Sequence, residues 1–299
     1  MRVSASAGLL AALLLGGAAL APTWAPAWAA TFPSAAKAIA PPGSDVDYLQ
    51  SAVDGPQRSP ENKARDRWRH PAQSLTFWGI RPGDVILEID PGGGYWAEVL
   101  AAFAKSTDGR YIGALPDPRD PKDNLEQQRN RDRFLARFGD TSVWGQVDAA
   151  AFGPTSGPMA APGSVDFILT GRNIHNFMWR GQLDKVLADS FAALRPGGVL
   201  AVEEHRADPR PMVPDARDGY VSEAYVIAAA RKAGFELADR SEINANPKDS
   251  KDHPFGVWTL PPTRASASPG QPANPAFDHT KYDAIGESDC MTLRFVKPR

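Results

Sequence analysis

The sequence holds a single cysteine, Cys290, among 299 residues. One thiol cannot close an intrachain disulfide, so the fold must rest on its core, and no four-cysteine zinc site can form. Neither charge is in excess: Lys+Arg number 33 against 35 Asp+Glu. Without a global basic field, a non-specific hold on nucleic acid is disfavoured. A bilayer-spanning run is missing too, since the apolar stretch Gly8 to Leu20 falls short of the about 20 residues needed. Histidines are few and poorly spaced for metal. His175, His205 and His253 with Glu203 or Glu204 show no recognisable ligand interval, which predicts no metal site.

What is present begins with a leader. Arg2 precedes the Gly8–Leu20 run, and Ala27-Trp28-Ala29 places small residues at the −3 and −1 positions of a cleavage site. Residues 1–29 therefore read as a signal peptide, and the mature protein as periplasmic or secreted. No cysteine follows to carry a lipid anchor, and no membrane span remains after cleavage. The rest is ordinary globular material, 42% hydrophobic and 23% charged over the whole chain.

Residues 30–59, rich in Pro, Ala, Ser and Gly, predict an extended arm. Ser59-Pro60-Glu61 has the cap, first-turn proline and acid of a helix start, and that helix should break at His70-Pro71. A second short helix covers Ala72 to Trp78. From Val85 the pattern alternates. Strands are predicted at Val85–Ile89, Arg110–Leu115, Ser142–Val147, Val165–Thr170, Val199–Glu204 and Phe235–Ile243, with an edge-like last strand at Met291–Val296. Helices fall at Tyr95–Lys105, Asn124–Phe138, Gln182–Leu194 and Ser222–Ala233. Residues 261–281 form a Pro-rich surface loop. Such alternation implies one α/β domain over residues 60–299, built on a doubly wound, mostly parallel sheet.

The passage Val85 to Trp96 carries the chemistry. A buried strand ends in Glu88-Ile89-Asp90-Pro91-Gly92-Gly93-Gly94 and a helix follows. Glycines there let the backbone turn sharply and approach a ligand, while the helix N-terminus offers free N–H groups. This passage resembles motif I of class I S-adenosylmethionine-dependent methyltransferases, with Glu88 as the acid and Gly92 and Gly94 as the second and third glycines. Asp90 stands in place of the first. Leu194-Arg195-Pro196-Gly197-Gly198 resembles the turn before the fifth strand of that fold. Together with Arg172-Asn173-Ile174-His175-Asn176, Glu204-His205-Arg206-Ala207 and Leu293–Pro298, these segments are similar to a group of exported bacterial predicted methyltransferases over residues 60 to 298.

The resemblance implies a seven-stranded Rossmann-like methyltransferase fold with an antiparallel last strand, and strands four and five adjacent. It implies S-adenosylmethionine as cofactor, held by Glu88, Asp90, Gly92, Gly93 and Gly94. Asp148, just after the expected third strand, takes the place of the acid that meets adenine. The acid that holds ribose is missing after strand two: Ala114 and Leu115 stand there, and Asp117 comes late.

Ligands in open α/β sheets lie at the carboxyl ends of strands. Asn173 and His175 follow strand four and His205 follows strand five, which makes these three the catalytic candidates. His175 has the right pKa range to take a proton from an acceptor, and His205 or Glu204 could orient it. The arginine runs Lys63 to Arg69 and Arg129 to Arg137 read as solvated faces, and Ser241 to Asp249 as a turn. Trp96, beside the glycine loop, is a possible cofactor neighbour. The function implied is methyl transfer to a small or envelope-associated acceptor. The alternative is a secreted, non-catalytic binding protein on a degenerate methyltransferase fold.

Overall fold

The computed structural model describes residues 45–120, 124–212 and 215–299. The leader and the first part of the arm, residues 1–44, lie outside the described residues. Four helices come first: α1 (Asp45–Asp54), α2 (Pro60–Lys63), α3 (Asp66–Arg69) and α4 (Pro71–Trp78). The alternating part follows as β1 (Val85–Ile89), α5 (Tyr95–Ser106), β2 (Arg110–Pro116), α6 (Leu125–Phe138), α7 (Thr141–Trp144), β3 (Val147–Phe152) and β4 (Val165–Gly171). The chain continues through α8 (Ile174–Trp179), α9 (Leu183–Ala193), β5 (Leu194–His205), α10 (Glu223–Lys232), β6 (Glu236–Ser241), α11 (Thr280–Ile285) and β7 (Cys290–Val296).

The seven strands form one sheet in the order β3-β2-β1-β4-β5-β7-β6. The pairs among β1 to β5 are parallel, and β7 runs antiparallel to both β5 and β6. This is the α/β architecture expected, a doubly wound, mostly parallel seven-stranded sheet with an antiparallel last strand. Two apolar layers sandwich it. Leu87, Ile89 and Ile168 pack with α8 and α9 on one face, while Ile86, Phe167 and Leu169 pack with α4 and α5 on the other. Successive residues of a strand point to opposite faces, and both faces here are covered, which is why β1 is apolar at every position but Glu88.

Several elements differ from the sequence expectation. The arm is helical from Asp45, where Leu49, Ala52 and Val53 are buried. Spacings of three and four put these on one face, and that face docks on α5. Strand three begins at Val147, and α7 occupies the place expected for it. Asn173 to Trp179 is not simply a loop, because α8 starts at Ile174. The last strand, β7, is no edge: it lies inside the sheet with Met291, Leu293 and Phe295 fully buried, and β6 forms the rim. Among the described residues, no helix is long and apolar enough to cross a membrane.

Candidate functional site

The glycine loop joins β1 to α5. Asp90 has φ 54°, Gly92 φ 54° and Gly94 φ 80°. Asp90 thus adopts the left-handed conformation that a glycine would take more cheaply, and the rest of the loop holds it there. Asn173 Nδ2 donates to the Asp90 carbonyl at 2.9 Å, which ties the β4 exit to the β1 exit. Gly92 and Gly93 are exposed. A Cβ at Gly93 would meet nothing within 4 Å, and one at Gly92 only the Asp90 carbonyl oxygen at 3.9 Å. The N-terminus of α5, capped by no side chain, adjoins this open backbone. These are the features a ligand needs to lie against the main chain.

Glu88 lies beneath the loop. It is 3% exposed, and its Oε2 accepts a 2.6 Å bond from the Tyr111 hydroxyl. Burial pushes its carboxyl up to about 8, against the pull of Tyr111. Asp90 is also raised, by burial, with Arg180 opposing from 3.7 Å.

The acids expected on the adenosine side are placed differently. Asp148 is the second residue of β3, opposite Ile112 and paired with Arg110 at the start of β2. It sits toward the amino ends of the strands, because β3 runs Val147–Phe152 rather than ending at Val147. The structure does not bring it to the glycine loop. Asp117 does stand at the carboxyl end of β2, but Arg119 grips it twice, at 3.0 Å each. Burial would raise the Asp117 carboxyl; the Arg119 bonds override this and hold it below its usual value.

The catalytic candidates do converge. His175, on α8, donates from Nδ1 to Glu204 Oε1 at 2.9 Å, and its main-chain N–H reaches Glu204 Oε2 at 3.2 Å. The His205 main-chain N–H also donates to Glu204 Oε1, at 2.8 Å. The two imidazole rings stand 5.3 Å apart, and Trp258 lies edge-on to His175 at 5.8 Å. His205 Nδ1 meets the Ser288 hydroxyl. Burial, with the charges of Arg172, His175 and Arg69, holds His205 well below its usual pKa, so its ring is neutral. Asn173 anchors Asn176 as well. Cys290 Sγ is 3.9 Å from His205 Nδ1; burial pushes this thiol up to about 12, so it is no thiolate.

Sequence reasoning missed the buried ion network behind this edge. Glu287 takes Arg65 at 2.6 Å, Arg69 at 2.8 Å and Arg172. Arg172 also pairs with Glu203 at 3.0 Å, and Glu203 Oε2 accepts from the Trp96 indole at 3.0 Å. Trp96 is therefore a core residue that fixes Glu203, not a wall of the glycine loop. Arg65 and Arg69, read as solvated, are drawn inward by Glu287 and lie over the Tyr95 ring at 5.5 and 4.5 Å. Arg137 likewise pairs with buried Glu98. The loop Ser241–Asp249 is a polar latch: Asn244 bonds Ser74 and Thr292, and Asn246 bonds the Ile285 and Glu287 carbonyls. No local sequence pattern reports partners so far apart. Trp179, 64% exposed at the end of α8, offers an apolar rim near this edge.

The sequence matches no known protein family and no curated protein. Solved structures of similar fold include an S-adenosylmethionine-dependent methyltransferase from Aquifex aeolicus, 17% identical, over 67% of this chain and 93% of that one, TM-score 0.46. An arsenic(III) S-adenosylmethionine methyltransferase from Chlamydomonas reinhardtii is 14% identical over 84% of this chain and 73% of its own, TM-score 0.47. The [4+2]-cyclase SpnF is 15% identical over 85% and 92%, TM-score 0.49.

Proposed function

We propose that this chain binds S-adenosylmethionine at the glycine loop and transfers its methyl group to a small acceptor. The observation that carries the reading is the exposed backbone of Gly92 and Gly93 between β1 and α5, turned by positive φ at Gly92 and Gly94, beside polar side chains at the ends of β4 and β5. The residues fit the cofactor at this end: exposed glycine backbone and an uncapped helix N-terminus suit its amino-acid portion, with Asp90 and Arg180 at the margin. When bound, S-adenosylmethionine supplies an electrophilic methyl on a sulfonium. The protein's share is positioning. Asn173 locks the two strand exits together, so the loop and the acceptor edge keep one geometry. His175, fixed by Glu204, and His205 supply the polar groups that meet the acceptor, and Trp179 the apolar rim.

A second reading, a non-catalytic binding protein that has lost its affinity for the cofactor, is favoured by the adenosine side. Leu115 stands where an acid would hold ribose, Asp117 is gripped by Arg119, and Asp148 faces Arg110. Calorimetric titration of the full chain with S-adenosylmethionine and S-adenosylhomocysteine separates the two. Binding of both at micromolar to sub-millimolar concentration supports the enzyme; no heat at millimolar ligand, with the protein folded, removes it.

The leader supports a further part of the proposal, export to the periplasm or beyond. N-terminal sequencing of the protein from an expressing cell's envelope fraction should begin at Ala30. An intact Met1 end there would leave the segment as an anchor.

A further inference from the structure

His175, Glu204 and His205 come from α8 and from the last two residues of β5, yet reach a common point. We propose that these three side chains form a binding site for a divalent transition-metal ion. Each offers one imidazole nitrogen or carboxylate oxygen, and the three atoms lie within 4.8 Å of one another. His175 and Glu204 are buried and His205 partly so.

The separation of the first two ligands is informative. His175 Nδ1 and Glu204 Oε1 are 2.9 Å apart. Two ligands each about 2.1 Å from one ion, at a right angle, stand about 3.0 Å apart. The separation therefore suits an ion held between these two atoms in place of the proton they share. The third ligand comes from the His205 ring, whose centroid stands 5.3 Å from that of His175. Two imidazoles and one carboxylate suit zinc, manganese or ferrous iron, whereas calcium and magnesium prefer all-oxygen sets.

The surroundings are those of a braced site. Ser288 fixes the His205 ring, and Trp258 and Tyr220 lie edge-on to the two imidazoles at 5.8 and 6.4 Å. Outer partners of this kind orient metal-binding histidines. Arg172, one of the cations near His205, is paired with Glu203 and Glu287. Spacing along the chain hides the set, since His175 and Glu204 are 29 residues apart. The inference does not depend on methyl transfer, and its test reads metal alone.

Untagged full-length protein, stripped with a chelator and dialysed against Zn²⁺ or Mn²⁺, should retain one ion per chain by elemental analysis. Titration with the same ions should show affinity lowered at least about tenfold in His175→Ala and His205→Ala. In unsubstituted protein, Co²⁺ should give visible absorption bands that Zn²⁺ displaces, which requires no variant to fold. Absence of both retained ion and cobalt bands overturns the site. So does a folded His175→Ala/His205→Ala double variant that binds as tightly as the parent. Failure of S-adenosylmethionine to bind would leave this result unaffected.

Discussion

The Tyr111 hydroxyl on β2 donates to Glu88 Oε2 on β1 at 2.6 Å, inside the sheet and out of reach of water. Burial lifts the Glu88 carboxyl from 4.5 to about 8. A carboxyl raised on folding takes up a proton, so its full stability is present below about 4.5 and is lost as pH rises to about 8. The loss is on the order of 5 kcal/mol. Thermal melts of Glu88→Gln should show this slope flattened between those pH values. A slope identical to the parent's would mean that Glu88 is ionised throughout. Tyr111→Phe should steepen it, because the hydroxyl favours the charged form.

Gly171 ends β4 directly against Trp96. A Cβ there would stand 2.9 Å from both Cδ1 and Nε1 of the indole. Gly171→Ala should therefore push Trp96 from Glu203 and cost about 1–3 kcal/mol in urea unfolding. Unchanged stability would show that the indole can move freely, against its tight packing.

Gly93 separates binding from folding. Its φ is not positive and a Cβ meets nothing, so Gly93→Ala should change stability by less than about 0.5 kcal/mol. The same methyl should weaken S-adenosylmethionine binding in calorimetry if the ligand lies on this backbone. Gly94→Val is a poorer probe, since φ 80° and Phe138 at 3.3 Å would disturb the fold first. Equal affinity in folded Gly93→Ala would put the ligand elsewhere.

Glu287 pairs with Arg65, Arg69 and Arg172 at once. Burial alone would raise its carboxyl, but these three guanidinium groups hold it far below the usual range. Its stabilisation is therefore present above about pH 4.5 and is lost only in strong acid. Glu287→Gln should cost about 3–5 kcal/mol at neutral pH, because it leaves buried arginines uncompensated. Chemical denaturation at pH 7 and pH 3 would show the penalty shrinking with acid.

What could be read from the chain followed the strength of burial. β1 was legible to the residue because Val85 to Ile89 is apolar but for Glu88 and covered on both faces, and α6 to within one residue, Asn124 being its cap rather than its first turn. β3 was misplaced because Asp148-Ala149-Ala150-Ala151 is neither branched nor deeply buried. That shift carried Asp148 away from its expected role. α1 was hidden by the Pro- and Gly-rich residues around it, and β7 by Thr292 and Arg294, which imitate an edge pattern. Within the site, the glycine loop and both histidines were visible from the sequence. Their link through Glu204, and the arginines gathered by Glu287, exist only once β5, α8 and the 280s are folded together.

The position of β7 sets an order of assembly. β6 joins the sheet only through β7, and β5 keeps one flank open until β7 arrives. A ribosome must therefore release residues 290–296 before this half of the core can close. Until then β6 has no partner strand in the sheet, and a stop codon ahead of Cys290 would leave an unfinished protein rather than a shorter one.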